Sequence, residues 1–229
     1  MISIIIPTRN AEALLGDTLT ALIPAVVEGI VREVIIVDGG STDHTLQIAD
    51  AFGATVIQAE AGRGPQLIAG ALIARGPWLM FLHGDTVLEP GWERDVTHFM
   101  EQVDRGRIPP KAAALRFSLD DVGVMPRVVE AGVRLRCAFF KLPYGDQGLL
   151  LQQSLYRSIG GYRPMPMMED VDIVRRLGAK RLVMLRALAI TSAVRYRHDG
   201  YVLRIARNLS CLALYLMHMP VRLIVRLYG

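Results

Sequence analysis

Residues 34–43 read VIIVDGGSTD: an apolar run from Val34 to Val37, then Asp38, two glycines, and the small polar residues Ser41, Thr42 and Asp43. A short apolar run without alternation reads as a strand buried on both faces. Ser41 to Asp43 offer capping oxygens just ahead of HTLQIADAF, residues 44–52, so a helix is expected to follow. Strand, polar turn and helix in succession form the unit of a parallel sheet covered by helices.

Similar units lie on both sides. Ile2 to Ile6, Thr55 to Ile57 and Trp78 to Leu82 are further short apolar runs, separated by stretches with helical character. Pro90 stands where a helix over GWERDVTHFMEQV, residues 91–103, is expected to begin. The expected fold class is therefore α/β, with a Rossmann-like, mostly parallel central sheet flanked by helices. A chain of 229 residues with 52% hydrophobic content suits one sizeable core. The expected domain spans residues 1–200, with halves at 1–105 and 111–200 joined by the loop DRGRIPPK, residues 104–111. Residues 201–229 are expected to form an amphipathic helical segment.

Composition narrows the function classes. The formal charge of +4 and pI near 9.3 come from dispersed Arg and Lys, so no basic tract argues for nucleic acid, whereas anionic phosphates or an anionic membrane surface fit. Cys137 and Cys211 lie too far apart in sequence for a CxxC motif and imply neither a disulfide framework nor a cysteine metal site. The N-terminal MISIIIPTRN lacks a basic leader and its apolar run stops at Pro7, so it reads as a strand and the expected location is the cytoplasm.

In an open parallel sheet, ligands bind beyond the carboxyl ends of the strands. Those ends are polar here: Pro7-Thr8-Arg9-Asn10, then Asp38-Gly39-Gly40-Ser41, then His83-Gly84-Asp85-Thr86. Between them lies the basic stretch Gly62-Arg63-Gly64-Pro65-Gln66, which opens a helix. An acidic strand-end residue such as Asp38 can hold a ribose hydroxyl or a base edge, and glycines beside it admit a ligand close to the backbone. The bland alternative is that DGGSTD is a turn with a helix cap.

The motifs SIIIPTRN, VDGGSTDHT, GRGPQLIAGA, FLHGDT, YGDQG and MMEDVDIVRRL occur in an order that resembles family 2 glycosyltransferases of the GT-A fold. The resemblance covers about residues 1–195. The variants LHGDT, LPYGDQG and TSAVRY resemble a small bacterial subgroup of that family. It implies a nucleotide-sugar donor, UDP-linked in the commonest case, with Pro7, Thr8, Asn10, Asp38, Gly39, Arg63, Gln66 and Asp85 on the nucleotide side. His83-Gly84-Asp85 resembles a DxD signature, with Asp85 as ligand to manganese or magnesium; His83 stands in place of the first Asp, so His83 or His198 could assist. A magnesium- or manganese-like ion needs few protein carboxylates when phosphate and water complete its shell.

The resemblance further implies that Gly145, Asp146 and Gln147 form a loop over donor sugar or acceptor, with Gln147 in direct contact, though YGDQG can also be a surface turn. Glu169-Asp170 resembles the family's acidic pair, making Asp170 the general base of an inverting transfer; otherwise the pair is favourable charge at a helix N-terminus. Asp172 is expected to be solvated or paired with Arg175 or Arg176. Arg195 and Arg197 are either pyrophosphate ligands or part of a solvated loop. His44, His98 and His218 are expected within helices, without a role.

Two segments bear on the acceptor. In RLRCAFFKLPYG, residues 134–145, the aromatics suit a lipid or other amphipathic acceptor, while Leu135, Phe139 and Leu142 fit a core-facing helical stripe slightly better. The uncharged interval from Asn208 to Val221 spans about 21 Å as helix, short of a bilayer core of about 30 Å, and contains Pro220. It is expected to pack on the domain, to lie at the inner face of the plasma membrane, or to form a homodimer contact. A nucleotidyltransferase is disfavoured because PTRNAEALL replaces a glycine-rich phosphate loop, and a catalytically silent nucleotide-sugar-binding or membrane scaffold remains the other alternative.

Overall fold

The computed structural model describes residues 1–228. Eight strands form one sheet: β1 (Ile2–Thr8), β2 (Val31–Asp38), β3 (Thr55–Gln58), β4 (Trp78–Phe81), β5 (Thr86–Leu88), β6 (Ala112–Asp120), β7 (Leu149–Gln152) and β8 (Leu182–Ser192). Eleven helices surround them: α1 (Glu12–Thr20), α2 (Ile23–Val27), α3 (Thr45–Ala51), α4 (Arg63–Ile73), α5 (Trp92–Asp104), α6 (Val124–Phe140), α7 (Gln153–Ser158), α8 (Glu169–Leu177), α9 (Val194–Asp199), α10 (Tyr201–Leu216) and α11 (Val221–Tyr228). The strand order is β3-β2-β1-β4-β7-β6-β8-β5.

The sheet is parallel from β3 to β4, as the apolar runs imply, and turns antiparallel at β7 and again at β5. The strands β6 and β8 pair in parallel. The apolar runs are continuous because both faces are covered. On one face Ile2, Ile4, Ile6, Ile36, Trp78 and Met80 pack with α5, whose Trp92, Val96, Phe99, Met100 and Val103 recur at helical spacing. On the other, Ile5, Ile35, Val37, Leu79 and Phe81 pack under Leu67 and Ala71 of α4 and Val171, Val174 and Leu177 of α8.

Asp43, as expected, ties the start of α3, accepting from the Thr45 N–H at 3.1 Å and the Thr45 hydroxyl at 2.6 Å. His44 precedes that helix, and His218 lies in the turn after α10 with φ 62°, whereas His98 is within α5. The helix α6 departs from the expected core stripe. It turns Val129 and Cys137 inward, while Leu135, Phe139 and Phe140 are 58%, 77% and 75% exposed. The four-residue spacing of Leu135 and Phe139 is helical, but that face points away from the sheet; of the three residues in the expected stripe, only Leu142 is buried. Pro220 does end the C-terminal apolar stretch, since α10 stops at Leu216 and α11 starts at Val221. Among the described residues no helix is long and apolar enough to cross a membrane. Cys211 and Ile224 are buried, so this hairpin packs on the body of the protein.

Candidate active site

The cleft opens at the carboxyl ends of β1 and β4 and consists of two adjoining chambers. One is lined by Pro7, Thr8, Asn10, Gln66, Gly84 and Asp85. The other is lined by Tyr144, Asp146, Asp170, Thr191, Tyr196 and Tyr228, among others. Arg63, His83, Asp85, Ser192 and Arg195 line both, so the loop after β4 is a shared wall.

The first chamber is braced from below. Asp38 is fully buried; its Oδ2 accepts from the Gly40 and Ser41 N–H groups at 2.9 Å each, and its Oδ1 accepts from the Ser41 hydroxyl at 2.5 Å. Both oxygens brace the turn, and Asp38, expected to touch base or ribose, lies buried outside the chamber lining. Gln66, also buried, donates its amide to the Thr8 and Val37 carbonyls at 2.8 and 2.7 Å, which fixes α4 against β1 and β2. The Gly39 N–H donates to the Thr8 carbonyl, and a Cβ there would come within 3.0 Å of the Gln66 amide. The first turn of α4 also presses on the Arg163–Met165 segment: a Cβ on Gly64 would lie 2.5 Å from the Met165 carbonyl oxygen.

The second chamber carries both signs of charge, with Asp85, Asp146 and Asp170 set among Arg63, Arg195 and Arg204. Asp170 lies in the first turn of α8, where the helix dipole favours a carboxylate. Its Oδ2 accepts from the Gly145 N–H at 2.8 Å and its Oδ1 from the Val171 N–H at 2.7 Å. Three neighbouring carboxylates have oxygens that are sealed from solvent yet lack a hydrogen-bond partner among the described residues: Asp85 Oδ1, Asp146 Oδ1 and both oxygens of Glu169. Burial pushes Asp146 up to about 6, with Arg136 opposing the shift. Burial, with Asp170 adding to it and Arg63 opposing it, pushes Glu169 up to about 8. His83 is held well below its ordinary value, first by burial and then by the Arg63 and Arg195 charges, so it is a neutral imidazole near pH 7. Its ring abuts the 145 loop, since a Cβ on Gly145 would lie 2.5 Å from His83 Nε2.

Several expected positions lie elsewhere. Gln147, expected to touch ligand, is buried and faces inward; it donates to the Leu115 carbonyl at 2.9 Å and accepts from Arg136 at 3.2 Å and the Tyr144 N–H at 3.3 Å. It fastens the loop to β6, and the side chain that reaches the chamber is its neighbour Asp146. Arg136 completes this lock by stacking 3.3 Å over the Tyr144 ring and donating to the Leu142 carbonyl. Glu169 stands behind Asp170, buried and outside the chamber lining. Asp172 pairs with Arg176 at 2.6 Å, as expected, and with Arg163 at 3.1 Å. Arg195 faces the cleft, but Arg197 donates to the Asp120 carbonyl at 3.2 Å, away from both chambers. His198 is exposed and bonded to Asp199 at 2.9 Å, so it does not approach Asp85's chamber.

Residues of α10 and α11 complete the cleft. Arg204, Asn208, Cys211 and Tyr228 line the Asp170 chamber, although the amphipathic pattern of that segment carries no signal for a site. Among the described residues no cluster of three or more His, Cys, Asp or Glu is arranged to hold a metal ion. The sealed, unpartnered Asp85 Oδ1 nonetheless suits a single carboxylate ligand whose cation is completed by phosphate oxygens and water.

Residues 3–107 match the profile of glycosyl transferase family 2. A PGL/p-HBAD biosynthesis glycosyltransferase of Mycobacterium bovis is 38% identical over 101 residues, covering 38% of this chain and 36% of the relative. A glucosyl-3-phosphoglycerate synthase of Mycolicibacterium paratuberculosis is 32% identical over 95 residues, covering 38% of this chain and 29% of the relative. The chain thus spans about a third of the length of the curated relatives it matches. Among solved structures, residues 1–349 of S. aureus TarS with UDP-GlcNAc superpose with TM-score 0.64 at 17% identity, covering 99% of this chain and 70% of that one. Glucosyl-3-phosphoglycerate synthase from Mycobacterium tuberculosis, solved with Mn2+, UDP-glucose and phosphoglyceric acid, gives TM-score 0.62 at 20% identity, covering 96% and 80%. Residues 3–107 therefore carry the sequence signature of glycosyl transferase family 2, within a chain whose fold is that of the GT-A glycosyltransferases.

Proposed function

We propose that the protein is an inverting glycosyltransferase that moves a sugar from a nucleoside-diphosphate sugar, UDP-linked by preference, to an acceptor hydroxyl. The observation that carries this reading is the pair of chambers sharing the wall Arg63, His83, Asp85 and Arg195, with Asp170 confined to one of them. The Pro7–Asn10 chamber takes the nucleotide, with Gly39 and Gln66 shaping its floor. Asp85 would hold a manganese or magnesium ion, which when bound supplies positive charge to a departing diphosphate.

Asp170 serves as general base. Its two backbone N–H partners fix its orientation, and its face toward the second chamber accepts the proton of the acceptor hydroxyl. That oxygen bonds to the anomeric carbon while the carbon's bond to the diphosphate oxygen breaks, and the electron pair leaves with the nucleotide. Displacement from the opposite face inverts the anomeric configuration, so an α-linked donor gives a β-linked product.

The exposed Leu135, Phe139 and Phe140, beside Arg134 and Lys141 and just ahead of the Tyr144–Gln147 turn, favour an amphipathic acceptor presented at a membrane surface. The test is calorimetric titration with UDP, GDP and dTDP, each with manganese or EDTA, on wild type and Asp85→Ala. Metal-dependent binding of one nucleotide, lost in the variant, is the expected result. Absence of nucleotide binding under every condition would refute the transferase reading and leave a scaffold.

A further inference from the structure

A third cavity of about 450 Å³ opens beyond the Asp170 chamber, between α4, α9, α10 and α11, and is lined by Arg63, Arg195, Arg204, Arg207 and Tyr228, with Asp199 as its one carboxylate among the described residues. Of these arginines Arg204 is buried, Arg63 and Arg207 are part-buried and Arg195 is exposed; arginines drawn out of solvent are ordinarily balanced by carboxylates. Here one oxygen, Asp199 Oδ2, accepts from both Arg204 at 3.2 Å and Arg207 at 3.1 Å, while Asp199 Oδ1 is bonded to His198. Arg204, which is buried, spends its other terminal nitrogen on the Tyr228 hydroxyl. Arg195 forms no ion pair with any described residue. The charge of Arg63 is offset by Asp170 and Asp85, which line the Asp170 chamber with it. Setting Arg63 aside, the three cations Arg195, Arg204 and Arg207 against the single Asp199 leave two positive charges uncompensated among the described residues.

We propose that this cavity binds a phosphate monoester carried by the acceptor, with Arg195, Arg204 and Arg207 as its hydrogen-bond donors; the inference rests on the transferase reading. A phosphate monoester is close to a dianion at neutral pH and so matches the excess of two charges. Guanidinium forks present paired donors at the spacing of phosphate oxygens. The position assigns the anion to the acceptor and not to the donor diphosphate. Arg204 and Tyr228 are shared with the Asp170 chamber, whereas of the three proposed donors only Arg195 also lines the Pro7–Asn10 chamber. An acceptor whose hydroxyl lies at Asp170 can thus leave its phosphate among these arginines.

The test is titration of the full chain with glycerol 3-phosphate, alone and after saturation with UDP and manganese, alongside vesicles of phosphatidylcholine with and without phosphatidic acid. Glycerol 3-phosphate is expected to bind the UDP-loaded protein one to one. Arg195→Gln and Arg207→Gln are each expected to weaken it by at least about tenfold, as loss of a charge-assisted hydrogen bond does. Arg207→Gln is expected to leave UDP affinity within about twofold. Arg207 is the primary variant because it is only part-buried, and its melting temperature reports whether it folds. Tighter binding to the phosphatidic acid vesicles than to glycerol 3-phosphate identifies a lipid source, and the reverse a soluble one. Displacement of glycerol 3-phosphate by UDP would overturn the proposal, because the arginines would then belong to the donor. So would wild-type affinity in both variants, or a UDP-loaded protein that takes neither probe. If glycerol 3-phosphate binds in an Arg207-dependent manner but no nucleotide binds, the anion site stands and the transferase reading falls.

Discussion

Replacing Glu169 by glutamine tests whether a neutral carboxyl lies behind the candidate base. Glu169 is 1% exposed, neither oxygen has a partner, and burial raises it from 4.5 to about 8. Between those values the unfolded chain releases the proton and the folded chain keeps it. The folded state therefore loses stability as pH rises from about 4.5 to 8, and the curve levels off above that. At 1.36 kcal/mol per pH unit, 3.5 units set a ceiling of about 5 kcal/mol, and water entry on ionisation brings the expected change to about 2–5 kcal/mol. Glutamine does not titrate, and its unpartnered amide adds only a pH-independent offset. The assay is urea unfolding of wild type and Glu169→Gln at pH 5, 6, 7, 8 and 9 in EDTA, which keeps cations off Asp85. The difference in unfolding free energy, wild type minus variant, should fall steadily from pH 5 to 8. A difference that moves by less than about 0.5 kcal/mol over that range would refute the reasoning, because Glu169 would then be ionised and solvated in the folded protein.

Three other substitutions separate chemistry from scaffolding. Asp170→Asn keeps an acceptor for only one of the Gly145 and Val171 N–H groups and cannot take a proton; turnover should drop by about 10²- to 10⁴-fold with nucleotide affinity unchanged, measured by product formation and calorimetry. Gln147→Leu removes buried hydrogen bonds to Leu115, Arg136 and Tyr144 and should cost about 2–4 kcal/mol by denaturant unfolding; a stable variant with weakened donor binding would instead return Gln147 to a ligand role. Gly145→Ala drives a methyl group to 2.5 Å from His83 Nε2 and must move either the ring or the loop that holds Asp170, so activity should fall more than stability. Parallel melting curves and rate measurements decide between the two.

The strand ends were legible because burial on both faces demands continuous apolar runs, and ligand sites follow where such runs stop. Thr8, Asn10, Arg63, Asp85 and Asp170 accordingly meet around one cleft. Asp38 and Gln147 show the limit. A polar residue in a motif can serve the ligand or the loop that serves the ligand, and only the partners of its oxygens distinguish the two. The exposed side of α6 was hidden for a related reason. Leu135 and Phe139 repeat at the spacing of a core stripe, but so do Val129, Val133 and Cys137, and a helix packed on one side can bury only one of them. The contribution of α10 and α11 has no local signature, because Arg204 and Tyr228 are 24 residues apart and meet only when Pro220 folds the hairpin.

Charge is unevenly spread along the cleft, and that bears on what each ligand needs in order to bind. Asp85, Asp146 and Asp170 line the Asp170 chamber together with Arg63, Arg195 and Arg204, whereas the third cavity adds Arg207 and has Asp199 as its carboxylate among the described residues. On the proposed reading, a diphosphate at the wall shared by the two chambers would lie beside the Asp85 carboxylate, with Arg63 and Arg195 opposing its repulsion. A divalent cation at Asp85 reverses the sign of that field at the point where the diphosphate must sit. The acceptor's phosphate needs no such help, since its subsite already carries the complementary charge. Donor affinity should therefore depend on the metal more than acceptor-phosphate affinity does. This asymmetry would be lost if both anions shared one site.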